Sequence, residues 1–134
     1  MEEIIVHCDG ASRGNPGPAA VGIVIFTPDM TILEEYKERI GTATNNVAEY
    51  TALIRALERA RAYTRENVRV IMDSELVIRQ MTGEYRVRNA QLKPLHEEAQ
   101  RLEQAFMRIT YSSTPRGMEA QAHADRLANE ALDA

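Results

Sequence analysis

Four acidic side chains stand where the chain changes from one kind of backbone pattern to another. Asp9 ends the apolar run IIVHCD, Asp73 ends VRVIMD, Glu49 lies in the first turn of a helical stretch, and Asp125 sits in an alanine-rich segment near the carboxyl end. The two aspartates close strands that are candidates for parallel neighbours. Adjacent strands lie about 4.8 Å apart, so carboxyls at equivalent ends could nearly touch, and ligand sites in open α/β sheets lie outside those ends. Carboxylates that close repel and raise one another's pKa. A divalent cation reverses the sign of that interaction, and magnesium favours hard oxygen donors of this kind. Each acid also has a purely structural reading. Asp73 precedes SELVIRQ and could be that helix's N-cap or its neighbour. Asn46 and Glu49 form Asn-x-x-Glu, a capping-box variant, and Asp125 falls at the edge of an apolar sector, where a solvated charge is ordinary. Taken singly, none of the four is decisive.

The elements that must position these acids follow from periodicity and turn residues. IIVHCD reads as a strand with Ile5, His7 and Asp9 on one face and Ile4, Val6 and Cys8 on the other. After SRGNPGP come AAVGIVIFT and TILEEYKERI, two β-rich stretches separated by a turn at Pro28 and Asp29. From Asn46 to about Tyr63 the pattern turns helical, with Val47, Tyr50, Leu53, Ile54, Leu57 and Ala60 in one sector. VRVIM is a short strand, SELVIRQMTG a short helix closed by Gly83, and QLKPLHEEAQRLEQAF a longer helix with Pro94 in its first turn. MRITYSS returns to strand character, and a last helix runs from about Glu119 to Leu132. The order β-β-β-α-β-α-α-β-α predicts a mixed sheet with helices on its faces, because a helical crossover returns the chain parallel to its partner.

Composition narrows the class. A chain of 134 residues, 44% hydrophobic, has the length of one ordinary domain, expected here over residues 1–134. The net charge of −4 argues against a strongly cationic nucleic-acid or membrane binder, although it does not describe how charge is distributed over faces. The single cysteine, Cys8, cannot form an internal disulfide, and no long apolar stretch is present. The expectation is a soluble cytoplasmic protein, monomeric, without membrane partners. Clusters of His and Cys are absent from the sequence, which argues against zinc.

Five ordered stretches carry a family resemblance: DGASRGNPGP at 9–18, TNNVAEYTALIRAL at 44–57, MDSELVIRQMTGEY at 72–85, VRNAQLKPL at 87–95 and ADRLANEAL at 124–132. Together they resemble ribonuclease H of type 1, in the compact form of archaea and many bacteria that lacks an inserted basic protrusion. The chain has no Trp and only a short GEYRVRN link where that protrusion would stand. The resemblance implies the ribonuclease H-like fold, α/β with a five-stranded mixed sheet, three antiparallel strands then two parallel, flanked by helices. It also implies hydrolysis of the RNA strand of an RNA/DNA hybrid, leaving 3'-hydroxyl and 5'-phosphate ends. Its four site carboxylates map onto Asp9, Glu49, Asp73 and Asp125, both as catalytic groups and as ligands for two Mg²⁺ ions, with Mn²⁺ as a substitute. In that scheme Asp9 bridges the ions, Glu49 holds one with it, and Asp73 and Asp125 serve the other.

The same resemblance assigns substrate contacts. Asn15, Asn45 and Asn46 would reach the minor-groove side of the hybrid, where the 2'-hydroxyl distinguishes RNA from DNA. Ser12 and Arg13 would meet the RNA strand, and Thr44 and Asn89 would form a phosphate pocket for the DNA strand. Gly and Asn in a turn also serve backbone geometry. Arg86, Arg88 and Lys93 make a local basic strip that could attract phosphates despite the acidic total, or could be a solvated face.

The chain departs from the family's pattern at several places. Glu75 stands where many relatives have Gln, and Gln121 where Asn is usual, four residues before Asp125. The segment TPRGMEAQAHAD is about two residues longer than the usual compact form, and no His occurs between Tyr111 and Ala122. His123 lies about 200° around a helix from Asp125, which makes it a surface histidine, so Arg116 is the better auxiliary cation near the site. The alternatives are another two-metal nuclease on the same architecture, a non-catalytic hybrid-binding module, and a structural domain whose acids are caps and surface charges.

Overall fold

The computed structural model describes residues 1–114 and 119–134. Strand β1 (Glu3–Ser12) is central, and the sheet order is β3 (Ile32–Ala43), β2 (Gly17–Phe26), β1, β4 (Asn67–Met72), β5 (Arg108–Ser113). β1 to β3 form an antiparallel meander, whereas β4 and β5 run parallel to β1. The crossovers are helical: α1 (Asn45–Ala60) joins β3 to β4, and α2 (Glu75–Met81) with α3 (Leu92–Glu103) joins β4 to β5. The last helix, α4 (Glu119–Asp133), follows β5. The expected element order and strand directions are thus present.

The alternation in β1 divides the core into two layers. Ile4, Val6 and Cys8 are buried with Tyr50, Leu53 and Leu57 of α1 and with Leu102 of α3. Ile5 lies on the opposite face with Val24, Phe26 and, from α4, Ala124 and Leu127. β3 is an edge strand carrying Glu34, Glu35, Lys37, Glu38 and Arg39, a charge pattern that discourages pairing with another chain. Its Glu34 and Glu38 pair with Arg59 and Arg55 of α1, tying the edge to the helix behind it.

Two expectations about element ends need correction. β1 does not stop at Asp9; it continues to Ser12, because Asp9 to Ser12 remain paired with Gly22 to Ala19 of β2. Asp9 is therefore an interior strand residue. The α1 helix starts earlier than Asn46, with Thr44 as N-cap accepting from the Val47 N–H at 3.2 Å, so the Asn46–Glu49 pair is not its capping box.

Helices α1 and α4, which bear acids, approach the sheet more closely than side chains normally allow, α1 at β1 and α4 at β2. A Cβ on Gly10 would stand 2.2 Å from the Ala48 backbone of α1, and one on Gly22, opposite Asp9, would stand 2.0 Å from the Ala124 carbonyl oxygen of α4. Glycine inside a strand marks such close backbone approach. Gly22→Ala or Gly10→Ala is expected to push its helix off the sheet and lower stability by about 1–3 kcal/mol. A urea-melt midpoint unchanged in either variant would show that the helix does not need the missing Cβ.

Candidate active site

The parallel register aligns His7 of β1 with Ile71 of β4. β4 ends at Met72, so Asp73 stands one residue past the strand and is not its last residue as expected; continuing the register two residues beyond His7 and Ile71 would bring it level with Asp9. α1 enters at the close contact over Gly10 and brings Glu49, whose carboxylate accepts the Gly10 N–H at 2.6 Å. That bond answers the capping question for Glu49, since the carboxylate serves β1 and not its own helix. From the other face α4 crosses Gly22 with Ala124, Leu127 and Ala128, and it carries the exposed Asp125 beside that crossing. The Asp9 carboxyl has those of both Asp125 and Glu49 as neighbours close enough to act on its ionisation.

The four acids differ in exposure. Asp9 and Glu49 are buried, at 7% and 5% exposure, and Asp73 and Asp125 are exposed. Burial, then the charges of Glu49 and Asp125, pushes the Asp9 carboxyl far above the usual carboxylate range. Burial also raises Glu49, opposed by the bond from Gly10 and contact with Asp9, and reinforced by the charges of Asp73 and Asp125. Asp73 accepts from the Thr114 hydroxyl at 3.0 Å, and Ser74, not Asp73, is the side-chain cap of α2. Among the described residues no three acid, His or Cys side chains already form a chelating set. The donor chemistry nevertheless fits a hard divalent cation: every group is a carboxylate, the two inner ones are buried without a basic partner among the described residues, and the two outer ones face solvent.

The turn after β1 is held by its own polar groups. The Ser12 hydroxyl donates to the Ala43 carbonyl at 2.7 Å and also contacts the Gly14 carbonyl. Asn15 accepts from the Asn45 N–H at 3.1 Å, which pins the turn to the start of α1. Arg13 turns toward the end of α4, pairing with Asp133 at 2.6 Å and contacting Asn129. Asn45 and Asn46 are exposed beside this turn. Thr44 is occupied as a helix cap, and Asn89 accepts from the N–H groups of Gln91 and Leu92 at the start of α3. Arg86, Arg88 and Lys93 are exposed and line one concavity of about 740 Å³ with Tyr85 and His96. His123 pairs with Glu35 of β3 at 2.5 Å, away from the acids. Arg116 lies outside the described residues.

Two buried polar residues near the acids were not among the sequence candidates as site groups. His7 and Gln121 are 2% and 3% exposed and bonded to each other at 3.0 Å. A signal for them existed in the spacing, since each precedes a site acid on its own element, by two residues on the strand and by four on the helix.

The model of the reverse transcriptase-like family matches residues 7–131. A ribonuclease HI of Halobacterium salinarum is 45% identical over 95% of this chain and 63% of its own length. The N-terminal ribonuclease H domain of a Mycobacterium tuberculosis protein, solved as a fusion with maltose-binding protein, is 46% identical; the match covers 99% of this chain and 95% of that one, with a TM-score of 0.93. The chain spans 36% of the full mycobacterial protein, which is named as bifunctional. A ribonuclease H1 solved in complex with an RNA/DNA hybrid is 42% identical over 97% of this chain and 96% of that one, with a TM-score of 0.91. On the extent of these matches, and with the strand order and helix placement described above, the chain belongs to the reverse transcriptase-like family, among its ribonuclease H type 1 members.

Proposed function

We propose that this chain, acting as a monomeric cytoplasmic domain over 1–134, is an endonuclease that hydrolyses the RNA strand of RNA/DNA hybrids. The products would be 3'-hydroxyl and 5'-phosphate ends. The observation that carries the reading is the convergence on Asp9 of Glu49, bonded to the adjacent Gly10 N–H, and of α4, which packs directly on Gly22 opposite Asp9 and bears Asp125. Like charges gathered in a partly buried site are unfavourable unless a cation or protons accompany them. The solved hybrid complex of a relative supports the choice of substrate.

Asp9 and Glu49 would hold one Mg²⁺, and Asp9 with Asp73 would hold a second, with Asp125 completing the side from which water attacks. Mn²⁺ would substitute. Bound in pairs, such ions supply an activated water and neutralise the leaving oxygen in an in-line displacement at phosphorus. The chain's own part is placement. β1 fixes Asp9, the Gly10 N–H orients Glu49, and the Thr114 hydroxyl orients Asp73. Asn15, Asn45 and Asn46, grouped where the glycine-rich turn meets α1, would read the minor-groove side of the hybrid, with Ser12 and Arg13 toward the RNA strand. Thr44 and Asn89 would place backbone and side-chain groups toward a DNA-strand phosphate. Arg86, Arg88 and Lys93 would add phosphate attraction from their shared concavity.

A labelled RNA/DNA hybrid is expected to be cut only with Mg²⁺ or Mn²⁺, while DNA duplex and single strands survive. Asp9→Asn should abolish cutting, and near-normal turnover in that variant would remove Asp9 from the chemistry. The same variant tests the electrostatics without substrate. A carboxyl whose folded pKa is raised favours the folded chain most below its ordinary pKa, about 4, and that contribution is lost as pH rises from there. In chelator at neutral pH, Asp9→Asn should therefore raise stability by about 1 kcal/mol or more, with the gain vanishing toward pH 4. A destabilised variant would contradict the buried repulsion. Replacing Arg86, Arg88 and Lys93 together by Gln should raise KM for the hybrid and flatten its salt dependence, by about 0.7–0.9 in log–log slope for each phosphate no longer neutralised. An unaltered slope would leave the strip a solvated face.

A further inference from the structure

The site acids depend on where α4 sits along β1, and one buried polar pair sets that position. Gln121 lies in the first turn of α4 and bonds β1 in two directions. Its Oε1 meets His7 Nδ1 at 3.0 Å, and its Nε2 donates to the Cys8 carbonyl at 3.0 Å. Because the amide nitrogen is committed to Cys8, the oxygen must be the acceptor, which fixes His7 as the tautomer protonated at Nδ1. His7 is locked in turn by an edge contact with Phe26, ring centroids 5.7 Å apart. Both partners are almost wholly buried, where a polar group left unpaired costs about 1–3 kcal/mol.

The spacing gives this pair its consequence. His7 and Asp9 are two residues apart on one face of a strand, a step of about 6.6 Å. Gln121 and Asp125 are four residues apart on one stripe of a helix, a step of about 6 Å. The steps nearly match, so His7–Gln121 and Asp9–Asp125 are successive rungs between the same two elements. The first rung is attractive, and the second joins two acids that repel. Helix α4 could relieve the repulsion by sliding or turning, but only by breaking the buried bonds of the first rung. An asparagine at 121 would fall short by one carbon–carbon bond, about 1.5 Å, and could not reach both partners from the same helix position.

We propose that Gln121 and His7 are positioning residues that hold Asp125 against Asp9 and so set the affinity of the acid cluster for divalent cations. The inference rests on the reading of those acids as a cation site. It is tested by thermal unfolding of the purified chain in chelator and then in rising MgCl₂, for the parent, Gln121→Met, Gln121→Asn, Asp9→Asn and the double variant His7→Phe with Gln121→Leu. The double variant removes the His7–Gln121 pair together and leaves only the Cys8 carbonyl without its donor, so it is expected to lose less stability than Gln121→Met, which strands both His7 and Cys8. The Tm in chelator reports any loosening of the packing, whereas the MgCl₂ concentration giving half of the Mg²⁺-induced rise in Tm reports the placement of the acids. That concentration is expected to increase about 10-fold or more in the Gln121 variants and the double variant. Turnover at fixed MgCl₂ should fall in parallel and recover as MgCl₂ is raised, with KM for the hybrid within about twofold of the parent. A folded double variant with the parent's half-saturating MgCl₂ overturns the positioning role. A parent whose Tm ignores MgCl₂ and matches Asp9→Asn in that respect overturns the cation-site reading itself, and this inference with it.

Discussion

The constraint on which the site depends is steric. Two helices on opposite faces of one sheet must each deliver a carboxyl to the same strand residue, and an ordinary helix packed on an ordinary sheet stands too far off to do so. Gly10 and Gly22 remove the obstacle on the two faces at neighbouring rungs of the sheet. Because β1 alternates, Gly10 faces α1 while Asp9 and its partner Gly22 face α4. Asp9 and Gly10 of β1 thus supply one acid and one landing place, and Gly22 of β2, paired with Asp9, supplies the other landing place. Asp73 needs no such device, since it arrives at the adjacent strand end by register.

Bringing acids together works against the fold, and the surrounding structure opposes that penalty with apolar contact and fixed dipoles. α4 is held by Ala124 and Leu127 in the layer formed by Ile5, Val24 and Phe26. The Gly10 N–H faces the Glu49 carboxylate, a charge-assisted bond stronger than a neutral one. The residual repulsion is left on Asp9, where burial and two neighbouring carboxyls favour the protonated form. A site in this condition is poised for a cation, because what binds there replaces an unfavourable interaction with a favourable one.

The turn after β1 shows the opposite economy. Its side chains are already bonded to the protein, through Ser12 to Ala43, Asn15 to α1 and Arg13 to α4. These bonds are at the surface, where exchange for a ligand's oxygens is nearly neutral. The turn is therefore preorganised in shape, yet its polar groups remain exchangeable. The overall charge of −4 hides a local separation of the same kind, with acids gathered at the head of β1 and Arg86, Arg88 and Lys93 around a separate concavity.

Much of this was legible in the sequence, because periodicity records which faces are buried and crossovers fix strand direction. The split of β1 into an Ile4–Val6–Cys8 face and an Ile5–His7–Asp9 face could be read directly, and so could the three antiparallel strands followed by two parallel ones. The strand's true end could not be read, because SRGNPGP looks like a turn from Ser12 onward and only pairing with β2 extends β1 past Asp9. The cap of α1 was hidden for a similar reason. Thr44 and Asn46 are both good caps locally, and the commitment of Glu49 to a strand 39 residues away decides between them. Local sequence determined which residues are acids, which faces they share and which segments become strands or helices, since those depend on near neighbours along the chain. Only the tertiary structure decided that Gly10 and Gly22 admit the helices, that Gln121 reaches His7, and that Glu49 bonds the strand beside Asp9, because each of those is a contact between elements far apart in sequence.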